Sequence, residues 1–186
     1  MIIFETIIST VNQAGEPHVT PFGVRHEKDL IVISPYKPST TLENILSTRY
    51  AVMNLTDDVR VFAGAIVGKS HPNLVPAQHV AGVRLASSLA HDELELVSIQ
   101  DDPQRPSLYM RSIYQANHAA FKGFNRAQAA VIELAVLVSR LHMLPREKIE
   151  AELNYLQIAI DKTAGANELQ AWSWLLEKLT DFYKKE

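Results

Sequence analysis

Thr20-Pro21-Phe22-Gly23-Val24, Leu30 to Ser34, Lys37-Pro38-Ser39-Thr40-Thr41-Leu42-Glu43-Asn44-Ile45 and Tyr50-Ala51-Val52-Met53-Asn54-Leu55 follow one another as strand, strand, helix start and strand. Working outward, Phe4 to Val11 is rich in Ile and Thr, which suit a pleated surface. Asn12-Gln13-Ala14-Gly15-Glu16 supplies a turn whose glycine can take positive φ, so Phe4–Val11 and His18–Val24 read as a hairpin. His26-Glu27-Lys28-Asp29 is a second polar turn before the short strand at Leu30. Pro21 and Gly23 inside a strand leave backbone groups outside the ladder and let a flat ligand come close; an edge strand with a bulge has the same signature.

Pro35 and Pro38 end the third strand, and a helix follows. Thr40 and Glu43 have the spacing of a capping box. Three hydroxyls and a lysine gather where free amides and the helix dipole favour an anion, so Lys37 to Thr41 is a candidate phosphate cradle. Simple capping accounts for the same residues. Further along, Asp57 or Asp58 caps a short helix through Phe62 and Ala65 that Gly68 closes. Residues 69–80 read as a loop. Val83–Leu89 and Glu93–Ile99 read as a strand pair about His91-Asp92, with Leu94 and Leu96 on one face and Glu95 and Val97 on the other. Asp101 to Pro106 is a turn before a last strand at Leu108–Tyr114.

The character changes after Asn117. A helix is expected over Asn125–Leu144, with a stripe of Val131, Leu134, Val138 and Leu141. Pro145 suits the first turn of a second helix, whose face is Ile149, Leu153, Leu156 and Ile160. Gly165 reads as its C-cap residue and Asn167 as the N-cap of a third helix carrying Leu169, Trp172, Leu176 and Leu179. The expected division is residues 1–116 and 117–186.

The chain has 186 residues, 47% hydrophobic and 21% charged, which is a globular and not a disordered composition. A net charge of −3 argues against nucleic acid as a partner. The absence of cysteine excludes disulfides, iron–sulfur clusters and thiol catalysis. The seven histidines, at 18, 26, 71, 79, 91, 118 and 142, show no metal-ligand spacing, so no metal is expected. Asp57-Asp58 reads as a cap sooner than as a catalytic carboxylate pair. No G-x-S-x-G, G-x-G-x-x-G or Walker lysine is present, so hydrolase, Rossmann and P-loop readings lack local support. The apolar start is too short to span a membrane, and Ala127–Leu144 contains Glu133, Arg140 and His142. No membrane partner is expected, and the location is cytoplasmic by default.

In that order and spacing, T-P-F-G, K-P-S-T-T-L-E-N-I and Y-A-V-M-N-L resemble the FMN-binding split β-barrel superfamily, in its flavin-reductase-like branch. Phe124-Asn125-Arg126-Ala127, Ala130-Val131-Ile132-Glu133, Ser139-Arg140-Leu141 and Lys162-Thr163-Ala164-Gly165 extend the similarity to a domain-of-unknown-function family of archaea and some bacteria, methanogens and methylotrophs among them. The resemblance implies an α+β fold: a Greek-key-like split β-barrel over 1–116, followed by a C-terminal three-helix segment over 117–186. It implies a homodimer with FMN at the interface. The phosphate would meet Lys37, Ser39, Thr40 and Thr41, and the isoalloxazine ring would lie along Thr20, Pro21, Phe22 and Gly23, with Asn44 and Asn54 nearby. Flavin reductases often carry serine where Gly23 stands, so that hydroxyl is missing here.

The leading expectation is thus a flavoprotein, an FMN-dependent oxidoreductase of unassigned substrate, with the flavin carrying the redox chemistry. A non-enzymatic FMN carrier or sensor, and a dimeric interaction module with an empty barrel, are the alternatives.

Overall fold

The computed structural model describes residues 2–69 and 72–184; Ser70 and His71, in the expected loop, lie outside the described residues. The elements run β1 (Phe4–Val11), β2 (Pro17–Glu27), β3 (Leu30–Ile33), α1 (Thr40–Thr48), β4 (Tyr50–Leu55), α2 (Val59–Val67), β5 (Leu74–Pro76), β6 (Val83–Leu85), β7 (Ala90–Gln100), β8 (Ser107–Asn117), α3 (Arg126–Val138), α4 (Arg146–Thr163) and α5 (Ala166–Tyr183). Six strands, ordered β1-β2-β3-β8-β7-β4, close an antiparallel barrel. The fold is therefore the expected α+β split barrel followed by three helices. Residues 2–56 and 72–120 form one compact unit, and residues 57–69 and 121–184 form another.

In the barrel unit, the first hairpin follows from its turn chemistry. The Asn12 Oδ1 accepts from the amides of Ala14 and Glu16, and Gly15 takes φ +83°. Ile8, Val24, Ile33, Met53, Leu94 and Leu108 fill the interior. Each such side chain contributes about 1.5–3 kcal/mol by leaving water. Period-two alternation places Phe22, which packs on this core, on the same side as Val24, and Pro21 and Gly23 on the other. Pro17–Val24 pairs with β1 on one edge, whereas β3 joins β2 only from Arg25 to Glu27. The other edge of Pro17–Val24 has no strand partner among the described residues. This is the split in the barrel.

Three local expectations are corrected here. The N-cap of α1 is Ser39, whose Oγ accepts from the Leu42 amide, so Thr40 and Glu43 form no capping box. Leu74–Pro76, expected as loop, pairs with Val83–Leu85. His91-Asp92 is no turn: β7 runs through it from Ala90, and β6 pairs with β5 instead. A strand tolerates three consecutive polar residues there because His91, Asp92 and Glu93 find partners in the fold.

In the helical unit, Asp58 caps α2 by accepting from the Arg60 amide, and Gly68 closes it at φ +74°, as expected. α3 is capped by Asn125 and ends at Val138, short of Leu144; Val131, Leu134, Val138 and Leu141 are buried. Pro145 precedes α4, where Ile149 and Ile160 are buried and Leu153 and Leu156 half-buried. The caps of the last turn are corrected. Ala164 is the C-cap of α4, and Gly165 caps α5, with the Glu168 carboxylate accepting its amide at 2.9 Å. The buried stripe of α5 is Ala171, Trp172, Leu175 and Leu179, while Leu169 is 52% exposed. Two stretches that carried the family resemblance meet here: Asn125 Nδ2 donates to the Thr163 carbonyl and the Ala127 amide to Thr163 Oγ1, both at 3.0 Å. No helix among the described residues is long and apolar enough to cross a membrane.

Candidate functional site

The helix start keeps the donors that made it a candidate cradle. The amides of Thr40 and Thr41, in the first turn of α1, have no intrahelical acceptor. Thr40 is exposed, Ser39 half-buried and Thr41 buried. Lys37 does not turn to them. Its ammonium lies 3.2 Å from Asp101 Oδ1 and 2.9 Å from the Asp102 carbonyl, in the β7–β8 turn. That pair is exposed and worth little.

Two arginines that sequence reading missed contact the segment entering α1 at Ser34. Arg25 donates to Ser34 Oγ at 3.0 Å, and Arg105 Nε to the Ser34 carbonyl at 3.1 Å. The Arg105 guanidinium also stands 4.7 Å from the Tyr36 ring centroid. The helix amides and hydroxyls are a donor set suited to a phosphate, whereas Arg25 is paired with Glu27 at 2.6 Å and both arginines hold Ser34. Arg105 is distant in sequence, and only the turn after β7 brings it there.

Of the strand residues, Thr20 to Gly23 lie on the stretch of β2 with an unpaired edge, whose backbone can meet the polar rim of a flat ring. The room above Gly23 is filled by the chain itself, since a Cβ there would lie 2.8 Å from Ile3 Cγ2. Asn44 and Asn54 are committed inside. Asn44 Nδ2 donates to Thr10 Oγ1 at 3.0 Å. Asn54, fully buried, donates to Ser9 Oγ at 3.0 Å and the Ile7 carbonyl at 3.2 Å, and accepts the Leu85 amide at 2.8 Å. These two amides brace α1, β1 and β4, with their side-chain nitrogens engaged inside the protein.

A second constellation, absent from the sequence reading, occupies one end of the barrel. A cavity of about 680 Å³ opens among the start of β1, the ends of β2, β4 and β8, and the start of β7. Val24 and Met53 supply apolar wall, and Glu5, His26, His91 and Asp92 supply polar groups. None of the cradle residues lines it. Asp92 lies opposite Met53 and two residues from Leu94, on the core-facing side. It is 8% exposed and accepts from Gln115 Nε2 at 2.9 Å. Burial pushes its carboxyl above the ordinary range, against the opposing pull of Gln115, His91 and His26.

On the other face of β7, Glu93 is wholly buried and accepts the amides of Gln78 and His79 at 2.6 Å and of Val80 at 2.8 Å. Burial alone would raise its carboxyl; these amides and His91 outweigh it and hold the group ionised below the usual range. His91 Nε2 lies 3.2 Å from Glu93 Oε1, and its Nδ1 lies 2.9 Å from His118 Nε2. Burial, with Arg84 and His91 nearby, lowers the His118 imidazole. Among the described residues no three His, Asp or Glu side chains converge as metal ligands.

Comparison with known proteins agrees with the fold. The family described as protein of unknown function (DUF447) matches with its N-terminal domain over residues 4–119 and its C-terminal part over residues 125–177. The FMN-bound protein MM1853 from Methanosarcina mazei is similar with a TM-score of 0.80 at 20% identity, over 95% of this chain and 94% of that one. The 2-nitrobenzoate 2-nitroreductase NbaA of Pseudomonas fluorescens gives 0.53 at 20% identity, over 61% and 64% of the two chains. Flavoredoxin from Methanosarcina acetivorans gives 0.52 at 14%, over 62% and 69%. At these identities the likeness is one of fold. No curated protein matches the chain.

Proposed function

The chain belongs to the DUF447 family, and we propose that it binds FMN and acts as an FMN-dependent, flavin-reductase-like oxidoreductase, as a homodimer with the flavin at the interface. The observation that carries this reading is the start of α1, with its free amides at Thr40 and Thr41, on a barrel whose β2 has an unpaired edge over Thr20–Gly23, in a fold shared with an FMN-bound protein. The amides of Thr40 and Thr41 and the hydroxyls of Ser39 and Thr40 hold the phosphate, and Arg105 supplies positive potential along the approach. The backbone from Thr20 to Gly23 orients the ring. Bound FMN supplies the hydride or electron transfer. Asn44 and Asn54 keep α1, β1 and β4 in register behind the ligand.

The test uses flavin-free, full-length protein. FMN added to it is bound at one flavin per chain, with quenched flavin fluorescence and a dimeric mass in solution. Protein that takes up no FMN overturns the reading. Anaerobic NADH or NADPH then bleaches the bound flavin if the protein is an oxidoreductase. A spectrum that stays oxidised with both donors leaves a carrier or sensor.

A further inference from the structure

We propose that the cavity at the barrel end is a binding site for a small organic cation, an amidinium or ammonium group on a compact apolar body, anchored by the Asp92 carboxylate. The cavity stands apart from the phosphate cradle, and its β2 lining, Val24 and His26, alternates onto the side opposite Pro21 and Gly23. The segment entering α1 meets Ser107 at the start of β8, through the 3.1 Å contact of Ser34, whereas the cavity takes Gln115 and Asn117 at the end of that strand.

The sign of the ligand follows from the walls. One carboxylate, that of Asp92, stands on the core-facing side of the lining; Glu5 also lines the cavity, but its carboxylate turns to the Gly23 face of β1 and β2, and neither lysine nor arginine lines it. An anion would face the Asp92 carboxylate in a partly desolvated space. A cation placed beside Asp92 relieves a charge that now has a neutral amide, Gln115, as its hydrogen-bond partner. Asp92 also projects from the core side of β7, beside Met53, where a strand would ordinarily carry an apolar residue. A carboxylate costs stability at that position, and a ligand gives it a use. The body of the ligand is set by Val24, Met53 and Leu55, which offer apolar contact and no donors. About 680 Å³ suits one compact molecule. His26 completes the polar wall as a donor or acceptor for substituents beyond the cationic head, while both ring nitrogens of His91 are taken by Glu93 and His118.

The test is calorimetric titration of the full-length protein with benzamidinium, with benzamide and benzoate as neutral and anionic probes of the same shape. Benzamidinium is expected to saturate one site per chain with at least tenfold preference over benzamide, and benzoate is expected not to bind. Asp92→Asn removes that preference while the far-ultraviolet circular dichroism stays unchanged. Glu5→Gln, at an exposed position whose carboxylate lies on the opposite face beside Gly23, leaves benzamidinium binding close to wild type and serves as the control variant. Equal binding of benzamide, binding of benzoate, no binding of benzamidinium, or an unchanged preference in Asp92→Asn each overturns the proposal. FMN added beforehand leaves benzamidinium binding intact. Competition by FMN would assign the cavity to the flavin and overturn the proposal as well, whereas failure to bind FMN would leave it standing.

Discussion

Nδ1 of His91 lies 2.9 Å from Nε2 of His118, with ring centroids 5.0 Å apart and planes within 12°. Near-parallel rings at that centroid distance, joined nitrogen to nitrogen, are side by side in an in-plane hydrogen bond and not stacked face on face. The ionised Glu93 carboxylate can only accept, so the proton between it and His91 sits on Nε2 of His91. Nδ1 of His91 then accepts from His118. Carboxylate, buried imidazole and exposed imidazole form a chain from the interior to solvent. Nitrogen-15 spectra are expected to show the Nε2–H tautomer for both histidines. His118 should titrate with a midpoint below the ordinary 6.5, given the lowering by burial, Arg84 and His91. A midpoint above that value would contradict the arrangement.

Replacing Glu93 with glutamine tests what holds β7 together. The carboxylate accepts from three backbone amides and from His91. A carboxamide offers one acceptor oxygen and turns its amino group toward those donors. The expected loss is about 2–4 kcal/mol at neutral pH, as for breaking a buried charge-assisted network, measured by urea unfolding. The folded-state carboxyl is lowered, so its contribution is present above the ordinary value of 4.5 and is lost as pH falls through the folded value. The gap between wild type and Glu93→Gln should therefore be constant above about pH 5 and close in acid.

The same residue explains where the sequence could not be read. Turn chemistry within a few residues was legible: Asn12 with Gly15 made the first hairpin, and Asp58 with Gly68 bounded α2. His91-Asp92 looked like a turn because nothing nearby announces that the Gln78–Val80 amides will come to Glu93. The cap of α1 shifted by one residue because Ser39, Thr40 and Thr41 are all competent, and only the backbone angles decide. The cradle itself was local and hence readable. The Arg25 and Arg105 contacts to Ser34 depend on strand pairing and on a distant turn, and the barrel-end cavity gathers residues from five strands.

Asp92→Asn should stabilise the ligand-free protein. A carboxyl raised in the folded state contributes fully below its unfolded value and loses that contribution as pH rises through the folded value. At neutral pH the wild-type residue is thus a liability. Asparagine keeps an oxygen for Gln115 and carries no charge. The expected gain is up to about 1 kcal/mol at pH 7, vanishing near pH 3, by thermal or urea unfolding. A variant less stable than wild type at pH 7 would show that the charge is already balanced.

In the helical unit, Asn125→Ala removes a helix cap and a bridging bond at once. The side chain caps α3 through the Ala127 and Gln128 amides and donates to the Thr163 carbonyl at the end of α4. Loss of a cap costs about 1 kcal/mol and the bridging bond a similar amount. Unfolding followed by the fluorescence of Trp172 and Trp174, both in α5, should report a loss of about 2 kcal/mol. Asn125→Asp, which keeps the cap and lacks the donor, should recover about half.

The phosphate position is tested most sharply at Ser39, because capping and anion binding make opposite demands on charge there. Ser39 Oγ accepts from the Leu42 amide at 3.3 Å. Aspartate is as good an N-cap as serine, and its charge suits the helix dipole, so Ser39→Asp should leave stability within about 0.5 kcal/mol of wild type. The same carboxylate would stand among the Thr40 and Thr41 amides proposed to hold the phosphate, repelling it and competing for its donors. FMN affinity should then fall at least tenfold, with the deficit largest at low salt, where charges are least screened. Ser39→Ala gives the complementary result: a loss of about 1 kcal/mol in stability from the missing cap, with a smaller effect on FMN because no charge is added. Fluorescence titration with FMN and with riboflavin separates the two contributions. Riboflavin has no phosphate, so its affinity should be the same in wild type and Ser39→Asp. FMN affinity untouched by the aspartate would move the phosphate away from α1 altogether.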